Sequence, residues 1–307
     1  MPLDVLTSAE ISLPATPDAT QVRERIAVLS RHVDVVGLTD NHAGKPRMSP
    51  LAAVALAREQ GVATVVHVSC RDRNRLALRS QVIGAAALSS EGILCLYGDA
   101  VPDVPRVRDY TTTRLLAEAR DWAAPQDLAL GCVADPFRPD VEAELALLGR
   151  KVAAGADFLQ TQMVFDPAGL ADFLERAAEG GKLGDCRVHA SVPVIRTARM
   201  VDILNQTLPS ELPEKAAAQI AAGGGIDLAV ETAMGLAGLE RVHALHLMSW
   251  GSEEQAGQVA AAFRAARGAP PERPGGSGRE GTGEPRRGAP EGRSASPGWS
   301  PGGSGSG

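Results

Sequence analysis

Four residues sit where an acid, an imidazole or an amide could act on a ligand. Glu10 lies inside the apolar run AEISLP. His67 lies in VVHVS, which ends in the charged burst Arg71-Asp72-Arg73-Asn74. Asp99 follows Gly98 at the end of ILCLYG, and Gln162 lies in QTQMVFD. A carboxylate in an apolar strand is costly unless it is paired or protonated. Glu10 therefore reads as a general acid with a raised pKa, and the plainer alternative is a structural ion-pair partner. His67 alone reads more often as a packed core histidine, and Asp99 after glycine as a cap of the next helix or turn. Gln160 and Gln162 share strand parity, so both amides should point to one face. Each signal is weak alone; their common place at the ends of apolar runs is the stronger observation.

The elements that must position them follow from hydrophobic periodicity. Aliphatic runs recur at 5–13, 33–39, 63–69, 93–98, 128–134, 158–164, 188–194 and 242–248. Amphipathic segments fall between them at 17–30, 49–59, 73–88, 109–122, 140–154 and 167–179, and 253–266 follows the last run. The stretch 195–239 holds more than one helix. Thr16 before Pro17 and Ser49 before Pro50 read as helix starts. No GxGxxG follows the first strand, and Gly223-Gly224-Gly225 reads as a helix break. Eight βα repeats without a dinucleotide glycine pattern predict a (β/α)8 TIM barrel, whose functional residues lie at the C-terminal ends of the strands. Those ends carry Glu10, Thr39 with Asp40 and Asn41, His67 with Arg71 and Asp72, Asp99, Asp135, Gln162 and Ser249.

The chain has 307 residues. From Gly268 onward it is Gly, Pro, Ser, Arg and Glu without aliphatic periodicity, which predicts a disordered C-terminal tail at 268–307 behind a barrel at 1–267. The barrel portion suits one domain of about 250 residues. A net charge of −6 leaves no nucleic-acid footprint. No signal peptide and no membrane span are read. Cys70, Cys95, Cys132 and Cys186 lack CxxC spacing and read as buried free thiols of a cytoplasmic protein, with no metal cluster.

Taken together, AEISLP, RDRN, LYGD and GRKVAAGADFLQTQMVFD resemble the methylenetetrahydrofolate reductase family. The nearest pattern is the reductase module fused to homocysteine methyltransferases. The resemblance spans about 7–250, and its most specific piece is 151–166. It implies a flavin-containing barrel that passes a hydride from NAD(P)H to FAD and on to 5,10-methylenetetrahydrofolate. In that implied site Glu10 protonates N10 of the folate, Asp99 steadies the resulting cation near flavin and pterin, and Gln162 binds the pterin. Thr39, His67, Asp99, Tyr110 and Lys151 match flavin-contacting positions, and Arg150 would help neutralise the pyrophosphate. FAD carries the hydride, so no metal is implied.

The chain departs from the family pattern at several points. Tyr97 replaces the arginine of the fourth-strand motif, and Ala134-Asp135-Pro136-Phe137 replaces a Tyr-Pro-Glu pattern. Arg196-Thr197-Ala198 lacks the aromatic that sandwiches nicotinamide or pterin, and Met248-Ser249-Trp250 replaces Leu-Asn-Arg. Phe165 and Trp250 are the remaining stacking candidates. These departures keep two rivals open: a folate enzyme with another electron donor or the reverse direction, and a non-catalytic barrel subunit. Oligomeric state is left open, a homo-oligomer included.

Overall fold

A computed structural model describes residues 3–98, 105–207 and 212–270. Eight parallel strands close into a barrel in sequence order. They are β1 (Thr7–Ile11), β2 (Val35–Leu38), β3 (Thr64–Ser69), β4 (Gly92–Leu96), β5 (Ala129–Ala134), β6 (Phe158–Met163), β7 (Arg187–Pro193) and β8 (Ala244–Met248). The helices between and after them are α1 (Ala19–Leu29), α2 (Pro50–Glu59), α3 (Arg75–Ala87), α4 (Thr112–Ala123), α5 (Val141–Ala153) and α6 (Pro167–Glu179). Three more, α7 (Ala198–Thr207), α8 (Glu214–Ala221) and α9 (Gly225–Ala237), fill the long seventh connection before α10 (Glu253–Ala266). The expected (β/α)8 architecture is therefore observed, and the strands are shorter than the apolar runs because the runs extend into the loops.

Helix starts follow side-chain chemistry. Asp18, Asn74, Thr111, Asp140 and Asp166 each accept a backbone N–H of the first turn. The first helix was expected to start at Pro17 behind Thr16. It begins two residues later, because the Asp18 carboxylate takes the Gln21 N–H at 3.0 Å. Ser49 and Pro50 do open α2, although the serine hydroxyl makes no cap bond. The triple glycine separates α8 from α9, and a Cβ on Gly225 would fall 1.9 Å from the Ile195 carbonyl oxygen.

Alternation along each strand builds two separate cores. One set (Ala9, Ile11, Val36, Leu38, Val66, Val68 and their equivalents) packs under the helices. The opposite set fills the barrel: Val35, Val65, Leu94, Ala129 and Phe158 join Leu3 in a plug toward the strands' N-terminal ends. Gly131 faces Phe158 in register, and its missing side chain is what admits the ring. The barrel closes between β8 and β1, where Ser8 pairs with His246 and Glu10 with Met248. Below this seam Arg264 of α10 donates to both Asp34 oxygens, at 3.1 and 3.0 Å, and to Thr7 Oγ1 at 3.2 Å.

The expected tail begins at Gly268. Its first three residues stay attached to α10: Arg264 accepts the Ala269 N–H at its carbonyl and donates Nε to the Pro270 carbonyl at 2.8 Å. The remainder, 271–307, lies outside the described residues. All four cysteines are buried and free, as expected. Among the described residues no helix is long and apolar enough to cross a membrane.

The plug yields a direct test. A Cβ on Gly131 would sit 2.2 Å from the fully buried Phe158 ring. Gly131→Ala should cost about 1–3 kcal/mol by overpacking. Adding Phe158→Leu should recover part of that loss, since the two residues touch. Urea melts of the two single variants and the double variant measure the coupling; strictly additive losses would contradict the packing described.

Candidate active site

Above the plug the barrel interior turns polar. Glu10 stands one residue from the end of β1 and is 7% exposed. His246 of β8 places Nε2 3.4 Å from Glu10 Oε2. His67 of β3 places its Nε2 4.0 Å from the same oxygen. Gly37 of β2 lies between these strands, where a Cβ would be 3.2 Å from Glu10 Cβ and 3.4 Å from His67 Nε2. A glycine there lets carboxylate and imidazole share the space. Ser8 Oγ lies 2.8 Å from His246 Nδ1, and Ser249 Oγ donates to the Glu10 carbonyl at 2.7 Å. His189 of β7 stacks on Phe158 with centroids 5.0 Å apart, and its Nε2 is buried without a partner among the described residues.

The electrostatics correct one expectation. Burial does push the Glu10 carboxyl upward, which is the effect the sequence suggested. The hydrogen bond from His246 and the charges of His246, His67 and His42 outweigh it and bring the group to about 2. Glu10 is therefore a carboxylate in the ligand-free chain, not an acid of raised pKa. Burial lowers His67 to about 4, against the raising influence of Glu10, and lowers His189 to about 3.

A second buried acid ties the rim together. Asp40, just beyond β2, accepts the Ser69 N–H at 2.9 Å and the Arg73 guanidinium through both oxygens, Nη2 to Oδ1 at 2.9 Å. Arg73 also donates to the Ser69 carbonyl at 3.1 Å. The second arginine of RDRN is thus a clamp between the ends of β2 and β3. Arg71, the first, is buried; its Nη1 lies 3.5 Å from Asp72, and its Nε and Nη2 find no acceptor among the described residues.

The sequence profile of methylenetetrahydrofolate reductase matches residues 3–263. The chain belongs to the methylenetetrahydrofolate reductase family. Its fold also resembles solved structures. One is an uncharacterized protein from Clostridium thermocellum described as binding two copies of 5-methyl-5,6,7,8-tetrahydrofolic acid. The two share 13% identity at a TM-score of 0.61, over 85% of this chain and 95% of that one. A protein from Aquifex aeolicus VF5 aligns with a TM-score of 0.49 and 11% identity, over 86% and 93% of the two chains.

The positions that resemble the reductase family's site are not all gathered in one place. Glu10 and His67 meet. Asp99 lies outside the described residues. Thr39 is buried, but its hydroxyl is occupied by the Ile11 carbonyl at 3.1 Å. Lys151 is buried and donates Nζ to the Val133 carbonyl. Arg150, its neighbour on α5, is exposed, since successive helical residues point about 100° apart. The Tyr110 hydroxyl donates to Glu118 at 2.7 Å and accepts from Arg75 at 2.8 Å, in a cluster beside Trp122 of α4. Gln160 is buried, whereas Gln162 is half-buried and accepts the Met163 N–H at 3.0 Å. The pairing of β6 with β7 shifts register between Gln160 and Met163, within the stretch where strand parity gave the two amides a common direction. Phe165 and Trp250 both pack onto the cluster of Ile195, Val201, Leu204, Leu212 and Ile220. Sequence reasoning missed His246, Ser8 and Gly37. The only signal was a histidine at inward parity in an otherwise apolar eighth strand.

Proton linkage at the two inner histidines predicts acid lability. The unfolded chain charges them near pH 6.5, while the folded chain resists until about 4 for His67 and about 3 for His189. Stability is therefore complete above pH 6.5 and falls as the pH drops below it, by up to about 1.4 kcal/mol per pH unit for each histidine. Urea melts between pH 7 and 4 should show this decline, and His189→Gln should make it shallower. Equal slopes in both proteins would mean that His189 titrates normally.

Proposed function

We propose that this chain reduces 5,10-methylenetetrahydrofolate to 5-methyltetrahydrofolate, with the hydride coming from NAD(P)H through bound FAD. The observation that carries the reading is Glu10: a buried carboxylate at the mouth of a barrel of this family, held between two imidazoles. The Clostridium thermocellum protein of the same fold is described as binding the methylated folate that would be the product.

The residues fit an anionic cofactor. Arg71 is buried with two guanidinium nitrogens lacking acceptors among the described residues, an arrangement suited to a phosphate oxygen. Lys151 supplies a second buried cation. His67 Nε2, without a hydrogen-bond partner among the described residues, lies 4.0 Å from Glu10 Oε2. FAD, when bound, supplies the hydride relay between nicotinamide and folate.

The chain's own work is proton handling and positioning. Glu10 delivers a proton to N10 of the folate. The bond between N10 and the methylene carbon then breaks with its electron pair on N10, leaving a cationic iminium at N5. Carboxylate groups near that cation favour it, the role the family resemblance implies for Asp99. The plug of Val35, Val65, Leu94, Ala129 and Phe158 closes the barrel beneath Glu10, which strengthens every charge interaction above it.

Two variants test this reading. Glu10→Gln should retain flavin uptake, seen at roughly 450 nm as for any oxidised flavin. NADH should still bleach it anaerobically. Reoxidation by methylenetetrahydrofolate should slow by about 10²–10⁴-fold, the usual share of general acid catalysis. A folate step within threefold of wild type would make Glu10 structural. Arg71→Gln should weaken FAD binding by about tenfold or more, in keeping with the loss of one charged hydrogen-bonding group. The melting temperature of the flavin-free chain should hold or rise, because two buried donors of the arginine have no acceptor among the described residues. Unchanged FAD affinity would remove Arg71 from the cofactor site.

A further inference from the structure

A proton donor must hold a proton before it can give one. In the chain without ligand Glu10 is a carboxylate, kept so first by its hydrogen bond to His246, against the upward pull of burial. The proton it would deliver must therefore be stored nearby. His67 does not store it, because burial keeps that imidazole neutral at neutral pH.

His246 is built for the task. Its Nε2 meets Glu10 Oε2 at 3.4 Å and its Nδ1 meets Ser8 Oγ at 2.8 Å. Ser8 Oγ in turn donates to the Leu245 carbonyl at 3.5 Å. With both ring nitrogens protonated, every donor in this row has an acceptor: Nε2–H the carboxylate, Nδ1–H the serine oxygen, and the serine O–H a backbone carbonyl. With the ring neutral and Nδ1 protonated, the row still closes, and Nε2 becomes the acceptor for a protonated Glu10. One proton can move between Nε2 and Oε2 without stranding a buried group. The other charged or titratable groups that act on the pair are His67 and His42 on Glu10, Asp40 through His67, and His189 on the side of His246.

We propose that His246 is the positioning residue that stores Glu10's proton, so that the acid of the site is the Glu10–His246 pair with one proton shared between them and Ser8 fixing the ring. This rests on the folate reading above. The step balances: Nε2–H gives its proton to Oε2, turning an ion pair into a neutral pair. Glu10 O–H then gives that proton to N10 of the folate and returns to carboxylate, and Nε2 is reprotonated from solvent. A ligand seated over the mouth removes the remaining water from Glu10, which favours the neutral pair over the charged one.

His246→Gln tests it, because glutamine still donates a hydrogen bond to the carboxylate but has no proton to give. The expected result is a folate half-reaction slowed by at least about 100-fold at pH 7.5, with KM within about twofold. The deficit should shrink by about tenfold for each pH unit of acidification, as solvent protonates Glu10 directly. Ser8→Ala should show a smaller loss with the same pH trend, and it keeps the test open if the histidine variant folds poorly. A deficit constant with pH, or none, overturns the idea while leaving the reaction assignment standing. Side-chain ¹⁵N spectra of the flavin-free chain at pH 7 give a readout that needs no turnover. Both His246 nitrogens should carry a proton in wild type and only one in Glu10→Gln. A singly protonated ring in wild type refutes the shared proton, whereas absence of any folate-dependent step in wild type refutes the reaction assignment instead.

Discussion

The 3.4 Å contact between Glu10 and His246 is the constraint around which the upper half of the barrel is arranged. A carboxylate 7% exposed inside an apolar strand is tolerable only with a partner. That partner comes from the far end of the chain, 236 residues away. The two meet only because β8 pairs with β1 and closes the barrel. Closure and site assembly are therefore one event. The lower seam serves it too: Arg264 ties α10 to Asp34 and Thr7, and Asp34 accepts the backbone N–H groups of Leu6 and Thr7. A chain cut before α10 would lose this tie at the seam where Glu10 finds its histidine.

The interior is graded along the barrel axis. Apolar side chains fill the N-terminal layers, with Gly131 making room for the Phe158 ring. Glu10, His67 and His246 occupy the layer above, with Gly37 making room there. The same device, a glycine facing a bulky neighbour, serves packing in one layer and side-chain convergence in the next. At the rim Asp40 and Arg73 fix the ends of β2 and β3, which holds the backbone on either side of His67.

Much of this was legible in the sequence. Eight apolar runs alternating with amphipathic segments specify the barrel, because strand and helix periodicities differ. Glu10 stood out because a charge inside an apolar run is anomalous. Its partner did not, because one histidine in β8 carries no mark of what lies across the seam. That omission explains the error over its pKa: burial is visible in sequence, whereas a hydrogen bond across 236 residues is not. The direction of Gln160 and Gln162 was read from parity alone, which holds only while register holds, and β6 shifts register between Gln160 and Met163. Arg150 and Lys151 are neighbours in sequence but not on the helix surface, where one is exposed and the other buried.

The central claim is that this barrel carries a hydride to a folate by protonating it from a buried acid. Its most direct test is an anaerobic cycle on the wild-type protein loaded with FAD. NADH or NADPH should bleach the flavin absorbance, and subsequent addition of 5,10-methylenetetrahydrofolate should restore it as 5-methyltetrahydrofolate appears in equal amount. A flavin that stays bleached after folate is added, or a chain that takes up no flavin at all, would contradict the account.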